Sequence, residues 1–449
     1  MTNSTIEQLK ELLNNHQFAK MRPLLNEMNQ FNLAEFLDDL KKEQAIRCFR
    51  MLSKDLASDV FPEMSPELQE YIISSVTDQE LKTIINDLFV DDAVDMLEEM
   101  PANVVKRVLA NANHETRSLI NEFLKYPESS AGSVMTAEFV SFSKSFTVSQ
   151  AIKYIRNTGI DKETVYLCYV TDRSRILEGV VSFKELLFAD PDTLVEEIME
   201  TDIVYAITTE DQEEVIRKVK KYNLLAIPVV DSENRMVGII TIDDVIDVMQ
   251  EEATEDFEKM AAMAPSEKPY LKTSVFELAK NRIGWLLLLM FSAMFTGKIL
   301  ENYESAFAAV PLLVTFIPML MDTGGNSGSQ SSTLIIRGMA ISEIKISDWA
   351  TVLFKEMRVA AMVGFVLAAA NFARLLIQYP GRYDIAFTVV ITLFFTVIIA
   401  KSIGAILPML AKRLKLDPAI MASPMITTIV DVLALMVYFN IAQIFIKFG

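Results

Sequence analysis

The spacing of apolar and polar positions changes character three times along the chain. Over residues 1 to about 128, apolar side chains recur at helical intervals, as in Ala45, Ile46, Phe49 and Leu52. That pattern predicts a series of short amphipathic helices. The segment Asp59-Val60-Phe61-Pro62-Glu63-Met64 is echoed by Asp95-Met96-Leu97-Glu98-Glu99-Met100, an offset of 36, with a proline at once or one residue later. A period of that length suits a stacked two-helix unit and predicts a small helical superhelix. From Ala131 to about Met249 the pattern turns α/β, and one unit occurs twice. The first copy opens at Ser133-Val134-Met135-Thr136 and closes at 179–187; the second opens at Ile198-Met199-Glu200-Thr201 and closes at 238–246. Within the second copy lie a helix from Gln212 to Tyr222 and a strand from Ala226 to Asp231.

Val245 to Ala264 then reads as one amphipathic helix. Its apolar stripe is Val245, Met249, Ala253, Phe257, Met260 and Ala264, and Pro265 and Pro269 end it. Five long apolar stretches follow, at 283–300, 306–336, 349–377, 385–410 and 418–446. A bilayer core is crossed by about 20 apolar residues in helix, so each stretch predicts a span. The expected layout is an acidic helical-repeat domain (1–130), a doubled α/β unit (131–195 and 196–247), a connecting helix and linker (248–272), and a five-helix membrane domain (273–449).

Composition sharpens this picture. Hydrophobic residues make up 51% of the 449 positions, high for a soluble protein. From Asn281 onward there are 13 basic and 9 acidic residues, which leaves 29 basic and 51 acidic in the first 280. So acidic a soluble half repels nucleic acid and anionic lipid, and its natural partners are cations. The only cysteines, Cys48 and Cys168, and the only histidines, His16 and His114, lack metal-type spacing. Disulfide scaffolds, thiolate zinc sites and HExxH chemistry are therefore disfavoured, and any metal here is a hard one with oxygen ligands. No P-loop, catalytic triad or nucleophile elbow occurs, so an enzyme is not expected. Met1 to Lys10 is polar and has no signal-peptide apolar core, which points to a cytoplasmic first half. Basic residues at Lys280, Arg282, Arg337, Lys345, Lys412, Arg413 and Lys415 flank alternate span ends. By the positive-inside rule the N-terminus is inside and the C-terminus outside.

Three groups of residues carry candidate chemistry. Asp431 stands alone in the last apolar stretch, where an ionised carboxylate costs roughly 2.5–3.5 kcal/mol even on a lenient scale. It is either protonated and hydrogen-bonded between helices or it faces a cation in an aqueous path, and the second reading is favoured. The second stretch carries Pro311, Pro318, Asp322, Gly324, Gly325, Asn326, Gly328 and Gln330. Such residues at bilayer depth allow close helix contact or a broken helix that opens carbonyls to a cavity. Asp91, Asp92 and Asp95 share one helical turn, as a solvated face or as part of a divalent-cation site. The connecting helix adds Asp247, Glu251, Glu252, Glu255, Asp256 and Glu258, a solvated acidic face or one whose repulsion a cation relieves.

Each copy of the doubled unit resembles a CBS module. In that family the Gly-x-x-Thr-x-x-Asp close holds an adenosine nucleotide; Thr241 and Asp244 fit it, whereas the first copy has Ser182 and Glu185. As a whole the chain resembles the MgtE family of magnesium channels and transporters. Pro318, Gly325, Asn326, Gly328 and Gln330 match that family's second-span motif, and Asp417, Pro418, Ser423, Pro424, Thr427 and Asp431 match its last one. The resemblance implies a multidomain fold: an all-α superhelical N domain, paired α/β CBS domains and five transmembrane helices. It further implies a homodimer in the cell (inner) membrane, with a path lined by the second and fifth spans. Asp431 would be the central cation site, with Thr427, Ser423 and Asn326 beside it. Regulatory Mg²⁺ would be held by Asp91 and Asp95, by Asp211 and Glu213, by Asp244 and Asp247, and by Glu252, Glu255 and Asp256. Asp417 would lie at the cytoplasmic edge of the membrane. The implied function is Mg²⁺ passage shut by rising cytoplasmic Mg²⁺, with ATP or another adenosine nucleotide at the CBS pair. Lys220 and Lys221 depart from the family by bringing basic charge to a region that can carry acids. Two other readings stay open: a membrane-anchored CBS nucleotide sensor without transport, and a path for Co²⁺, Mn²⁺ or Ca²⁺.

Overall fold

The computed structural model describes residues 3–446 apart from Glu99, 267–269, 272 and 304–309. It divides into two compact units, Met1–Met249 and Gln250–Gly449.

The first unit opens with ten short helices. They are α1 (Asn3–Asn14), α2 (Phe18–Asn26), α3 (Gln30–Asp38), α4 (Lys42–Phe49), α5 (Lys54–Val60), α6 (Pro66–Ser75), α7 (Asp78–Asp87), α8 (Val90–Glu98), α9 (Ala102–Asn111) and α10 (His114–Phe123). From α2 onward a helix begins at 18, 30, 42, 54, 66, 78, 90, 102 and 114, every twelfth position. The 36-residue echo therefore spans three helices, α5–α7 matching α8–α10, and not the two-helix unit expected. Stop signals set this rhythm. Ser53, Thr77 and Asn113 each accept a backbone N–H at a helix start, and Pro66 and Pro101 open α6 and α9. Helices this short are marginal alone. Helices α1 and α2 pack on each other, and from α3 on most pack on the next but one, α3 on α5, α4 on α6, α5 on α7, α7 on α9 and α8 on α10, over a core that includes Phe36, Phe61, Ile72 and Ile85.

The α/β part has the same topology twice. In the first copy β1 (Ser141–Phe142) leads through α11 (Val148–Thr158) to a parallel neighbour, β2 (Leu167–Thr171), which pairs antiparallel with β3 (Leu177–Ser182) before α12 (Phe183–Phe188). After α13 (Val195–Ile198), the second copy runs β4 (Ala206–Ile207), α14 (Gln212–Tyr222), β5 (Ala226–Val230), β6 (Met236–Thr241) and α15 (Ile242–Met260). Single bridges, Thr136 to Ile239 and Ile176 to Arg235, tie the copies together. Cys48 and Cys168 are buried and unpaired, and burial pushes both thiols up to about 12, so neither is a ready nucleophile.

The helix expected at 245–264 starts earlier, directly off β6, and stops at Met260. Ala262, with φ 54°, turns the chain before Pro265 is reached.

The second unit contains α16 (Val275–Asn302), α17 (Ile317–Ala340), α18 (Trp349–Gln378), α19 (Tyr383–Arg413) and α20 (Ser423–Phe445). The segments Val275–Asn302, Ile346–Gln378, Tyr383–Arg413 and Pro418–Phe445 are long and apolar enough to cross a membrane; α17, at 24 residues, is more polar. The start of the second predicted span, 306–309, lies outside the described residues. A broken helix was one of its expected forms, yet α17 runs without interruption. Pro318 sits in its first turn, where no hydrogen bond is lost. Its glycines serve close packing instead: a Cβ on Gly404 of α19 would run into the Gly328 carbonyl, and one on Gly325 would meet Thr427 of α20 at 2.9 Å. Helix α19 lies against α17, α18 and α20 and forms the middle of this bundle.

Candidate functional site

Helix α17 has two faces. Gly324, Gly325, Ser327, Gly328, Ser331 and Ser332 are buried, whereas Asp322, Asn326, Gln330 and Thr333 form an exposed polar stripe. The stripe follows from spacing, since residues four apart share a side of a helix. Helix α20 presents Ser423, Thr427 and Asp431 at the same four-residue interval. The two helices are joined where the Ser329 hydroxyl donates to Ser423 Oγ at 2.9 Å, and within α20 Thr427 Oγ1 donates to the Ser423 carbonyl at 2.7 Å. Asp322 is the charged neighbour of Asp431. Oδ1 of Asp431 is shut off from solvent without a hydrogen-bond partner. Carboxylate, hydroxyl and amide groups thus converge along two adjacent helices. Asp322 and Gln330 were noted in the motif but not placed among the site residues.

The first unit gathers a second set of carboxylates. Asp91 and Asp92, on the first turn of α8, face Glu63, Glu138, Glu163 and Asp244. Asp243 and Asp247 complete the group through Glu163, Glu63 and Asp244. Burial, then repulsion from these neighbours, holds the Asp91 carboxyl well above the usual carboxylate range and pushes Asp92 and Glu163 up to about 7. Oδ1 of Asp91 is buried with no hydrogen-bond partner. A buried lone pair among like charges is a place where a cation fits. Among the described residues no three acidic, cysteine or histidine groups converge closely enough to hold a bare ion. A cation that keeps part of its water needs no such close convergence. Glu63, Glu138 and Glu163 were missed from sequence: each is an isolated acid in an acidic half, brought in only by tertiary packing.

Three family models match in chain order: the MgtE intracellular N domain over 28–129, the CBS domain over 131–192 and 195–251, and MgtE, a divalent cation transporter, over 317–441. The magnesium transporter MgtE of Thermus thermophilus is 35% identical over 443 residues, 98% of each chain. The chain belongs to the MgtE family. The magnesium transporter MgtE of Bacillus subtilis is 32% identical over 435 residues, 97% of this chain and 96% of the relative. A crystal structure of the cytosolic domain of the Mg²⁺ channel MgtE in complex with ATP is 36% identical with a TM-score of 0.52, covering 54% of this chain and 99% of that one. The crystal structure of the soluble part of a magnesium transporter gives a TM-score of 0.53 at 29% identity, covering 56% and 100%. With its apolar helices, this MgtE-family chain is a multi-pass membrane protein.

The remaining predicted residues of this MgtE-family chain are engaged locally. Asp211 caps α14 by accepting the Glu213 N–H at 2.9 Å, and Glu213 pairs with Arg217 at 2.8 Å. Asp95, one turn beyond Asp91, is exposed. Thr241 Oγ1 donates to Asp244 Oδ2 at 2.5 Å and its backbone N–H donates to the same oxygen at 3.1 Å, so this pair caps α15. Ser182 and Glu185 make the corresponding cap on α12. On α15, Glu255 pairs with Lys259, whose Nζ also donates to Asp417 Oδ2 at 2.7 Å. Glu252 and Asp256 lie on the same helix.

Proposed function

We propose that this chain carries Mg²⁺ across a membrane along the face built by α17 and α20. The observation that carries the reading is the exposed row Asp322, Asn326, Gln330 and Thr333 beside Asp431. Lipid does not tolerate such a face, so water or protein has to cover it. A second copy of the chain solves this, because it sets the two polar faces against each other as a homodimer with a wet path between them. Two Asp431 carboxylates then supply the field, with Ser423, Thr427 and Asn326 at hand for the water shell of a hydrated ion. Mg²⁺ sheds that shell reluctantly, and the relatives' names point to the same ion. A site that works through water is permissive, so Co²⁺, Mn²⁺ and Ca²⁺ are the competitors to test. The basic flanks put the first unit in the cytoplasm and the C-terminus outside.

The carboxylates of the first unit act as the sensor. With little Mg²⁺ they repel; with more, ions bridge Asp91, Asp92, Asp244 and their neighbours, while the acids of the connecting helix, Glu252, Glu255 and Asp256, and Asp95 and Asp247 bind further ions. Two unit charges about 4 Å apart interact by about 4 kcal/mol at an effective dielectric of about 20. A few bridged pairs therefore reach the roughly 5.5 kcal/mol that takes a gate from mostly open to mostly shut. An adenosine nucleotide at the CBS pair would have to open the Thr241–Asp244 cap to use those two side chains, so nucleotide binding and that cap compete. The test is Mg²⁺ uptake by proteoliposomes, wild type beside Asp431→Ala. Uptake by the wild type and none by the variant is expected; equal uptake by both overturns the reading.

A further inference from the structure

Lys401 is a charge in an unexpected place. It lies twelve residues inside the Arg413 end of α19, about 18 Å along the helix at roughly 1.5 Å per residue, and is only 4% exposed. Its ammonium is turned to the buried side of α17. Nζ donates to the Ser327 carbonyl at 3.4 Å, to Gln330 Oε1 at 3.5 Å and to Ser331 Oγ at 3.4 Å. Ser331, itself 1% exposed, donates its own O–H to Glu356 Oε2 of α18 at 2.6 Å. Among the described residues no carboxylate pairs with Lys401 directly. The order across three helices is Glu356, Ser331, Lys401: acid, hydroxyl, ammonium.

The chemistry of each member suits that order. An ammonium only donates, a carboxylate only accepts, and a hydroxyl between them does both. An ammonium buried at this depth costs several kcal/mol unless it is balanced, so its presence calls for a role. The glycine contact explains how it reaches its partners. Gly404, one turn further along α19, lies against the Gly328 carbonyl with no room for a side chain. The helices touch there, and Lys401 lands on the back of the segment whose front is the polar stripe. Because Lys401 can only donate, Gln330 must offer its oxygen inward and keep its NH₂ toward the exposed face.

We propose that Lys401 is a positioning residue for the cation path: with Ser331 and Glu356 it forms a charge-balanced relay that fixes the rotation of α17 and the orientation of Gln330, without touching the ion. This rests on the path reading above and deepens it. The test uses the full chain in proteoliposomes, with K401M, E356Q, S331A and the double variant K401M/E356Q, and measures Mg²⁺ uptake against Mg²⁺ concentration. E356Q leaves the buried Lys401 ammonium, and K401M the half-buried Glu356 carboxylate, without its balancing charge, so maximal uptake should fall about tenfold or more while the half-saturating concentration stays within about twofold. The double variant leaves no unbalanced charge and should recover uptake to within about threefold of wild type. S331A, which cuts the relay, should resemble the singles. Size-exclusion profiles and melting temperatures in detergent accompany every variant. Where a single variant does not fold, recovery of folding and uptake in the double variant still supports the relay. K401M with wild-type uptake, or a double variant no better than the singles, overturns it. Absence of uptake by the wild type would instead sink the path reading itself.

Discussion

The carboxylates of α17 and α20 and those around Asp91 both put like charges close together, but they are built in opposite ways. The membrane set is local: Asp322, Asn326 and Gln330 on one helix, and Ser423, Thr427 and Asp431 on the next, each at four-residue steps. The soluble set is assembled from Glu63, 91–92, 138, 163 and 243–247, segments distant in sequence. The first lies on two packed helices, where helix geometry alone sets its residues in line. The second is strained by its own repulsion and can be relaxed by protons or by cations. A preformed row suits conduction, and a strained cluster suits sensing.

The sharpest way to break this contrast is to neutralise the membrane set. Asp431→Asn keeps shape and removes one charge per chain from a low-dielectric setting. Mg²⁺ uptake should fall by about a hundredfold or more, given that a unit charge at close range is worth about 4 kcal/mol at an effective dielectric of about 20. Flux into proteoliposomes checks this, and a loss under about threefold would mean the carboxylate is a packing group.

The next test falls on the soluble set and reads stability against pH. Burial and neighbouring acids push Asp92 and Glu163 up to about 7, while free carboxylates titrate near 4. Between those values the folded chain holds more protons than the unfolded one, so stability falls as pH rises, and the loss is complete above about 7. In chelator, the first unit's melting transition in the full chain should drop by about 5 °C between pH 5 and pH 8. Millimolar Mg²⁺ should remove most of that drop, and D92N/E163Q should flatten it even without Mg²⁺. A melting curve that rises over this interval in chelator would rule out the strained cluster.

A third test probes the rigidity of the membrane set. Gly404→Ala places a methyl against the Gly328 carbonyl. Overpacking of this kind costs about 1–3 kcal/mol, seen as a lower melting temperature in detergent. Gly297→Ala, where a Cβ meets nothing within 4 Å, is the control and should leave melting unchanged.

The same contrast explains what could be read in advance. Asp431 is conspicuous because its neighbours in sequence are apolar, and the order of helical, doubled α/β and membrane parts follows from periodicity, whereas the CBS reading comes from the resemblance of its motifs. Glu138 and Glu163 are invisible by the same logic: in an acidic half one more acid carries no signal, and only the fold reveals which ones meet. The 36-residue echo was visible, but helices of seven to ten residues hide their number, because Pro and N-cap stops every twelfth position can be read as turns within longer helices. The second span left two forms open, close helix contact or a broken helix, and the first holds. Its glycines and Pro318 suggest a break, yet at Gly328 and Gly404 the missing side chains let α17 and α19 touch, and the helix stays whole. Lys401 was counted as one more basic residue, since nothing in its local sequence shows that Ser331 and Glu356 wait on neighbouring helices.

The smallest expected effect concerns Lys259, which joins the connecting helix to Asp417 within the second unit. Burial alone would lower its pKa, but the hydrogen bonds it donates to Asp417 and Glu255 outweigh that and hold the ammonium above its usual range. The stabilisation is therefore fully present at neutral pH and is lost only as pH rises past the ordinary lysine range, about 10.4. The pair is partly exposed, so Lys259→Met should change stability by less than about 1 kcal/mol. Its effect on regulation should be easier to see. A lysine here already supplies part of the positive charge that a divalent ion would otherwise bring between Glu255 and Asp417. Removing it makes the contact depend on Mg²⁺, so uptake at low internal Mg²⁺ should rise by about twofold, while saturating internal Mg²⁺ should still suppress it. Flux into vesicles loaded with graded Mg²⁺ measures both ends of that curve. A curve superimposable on wild type would show that Lys259 merely tethers the helix.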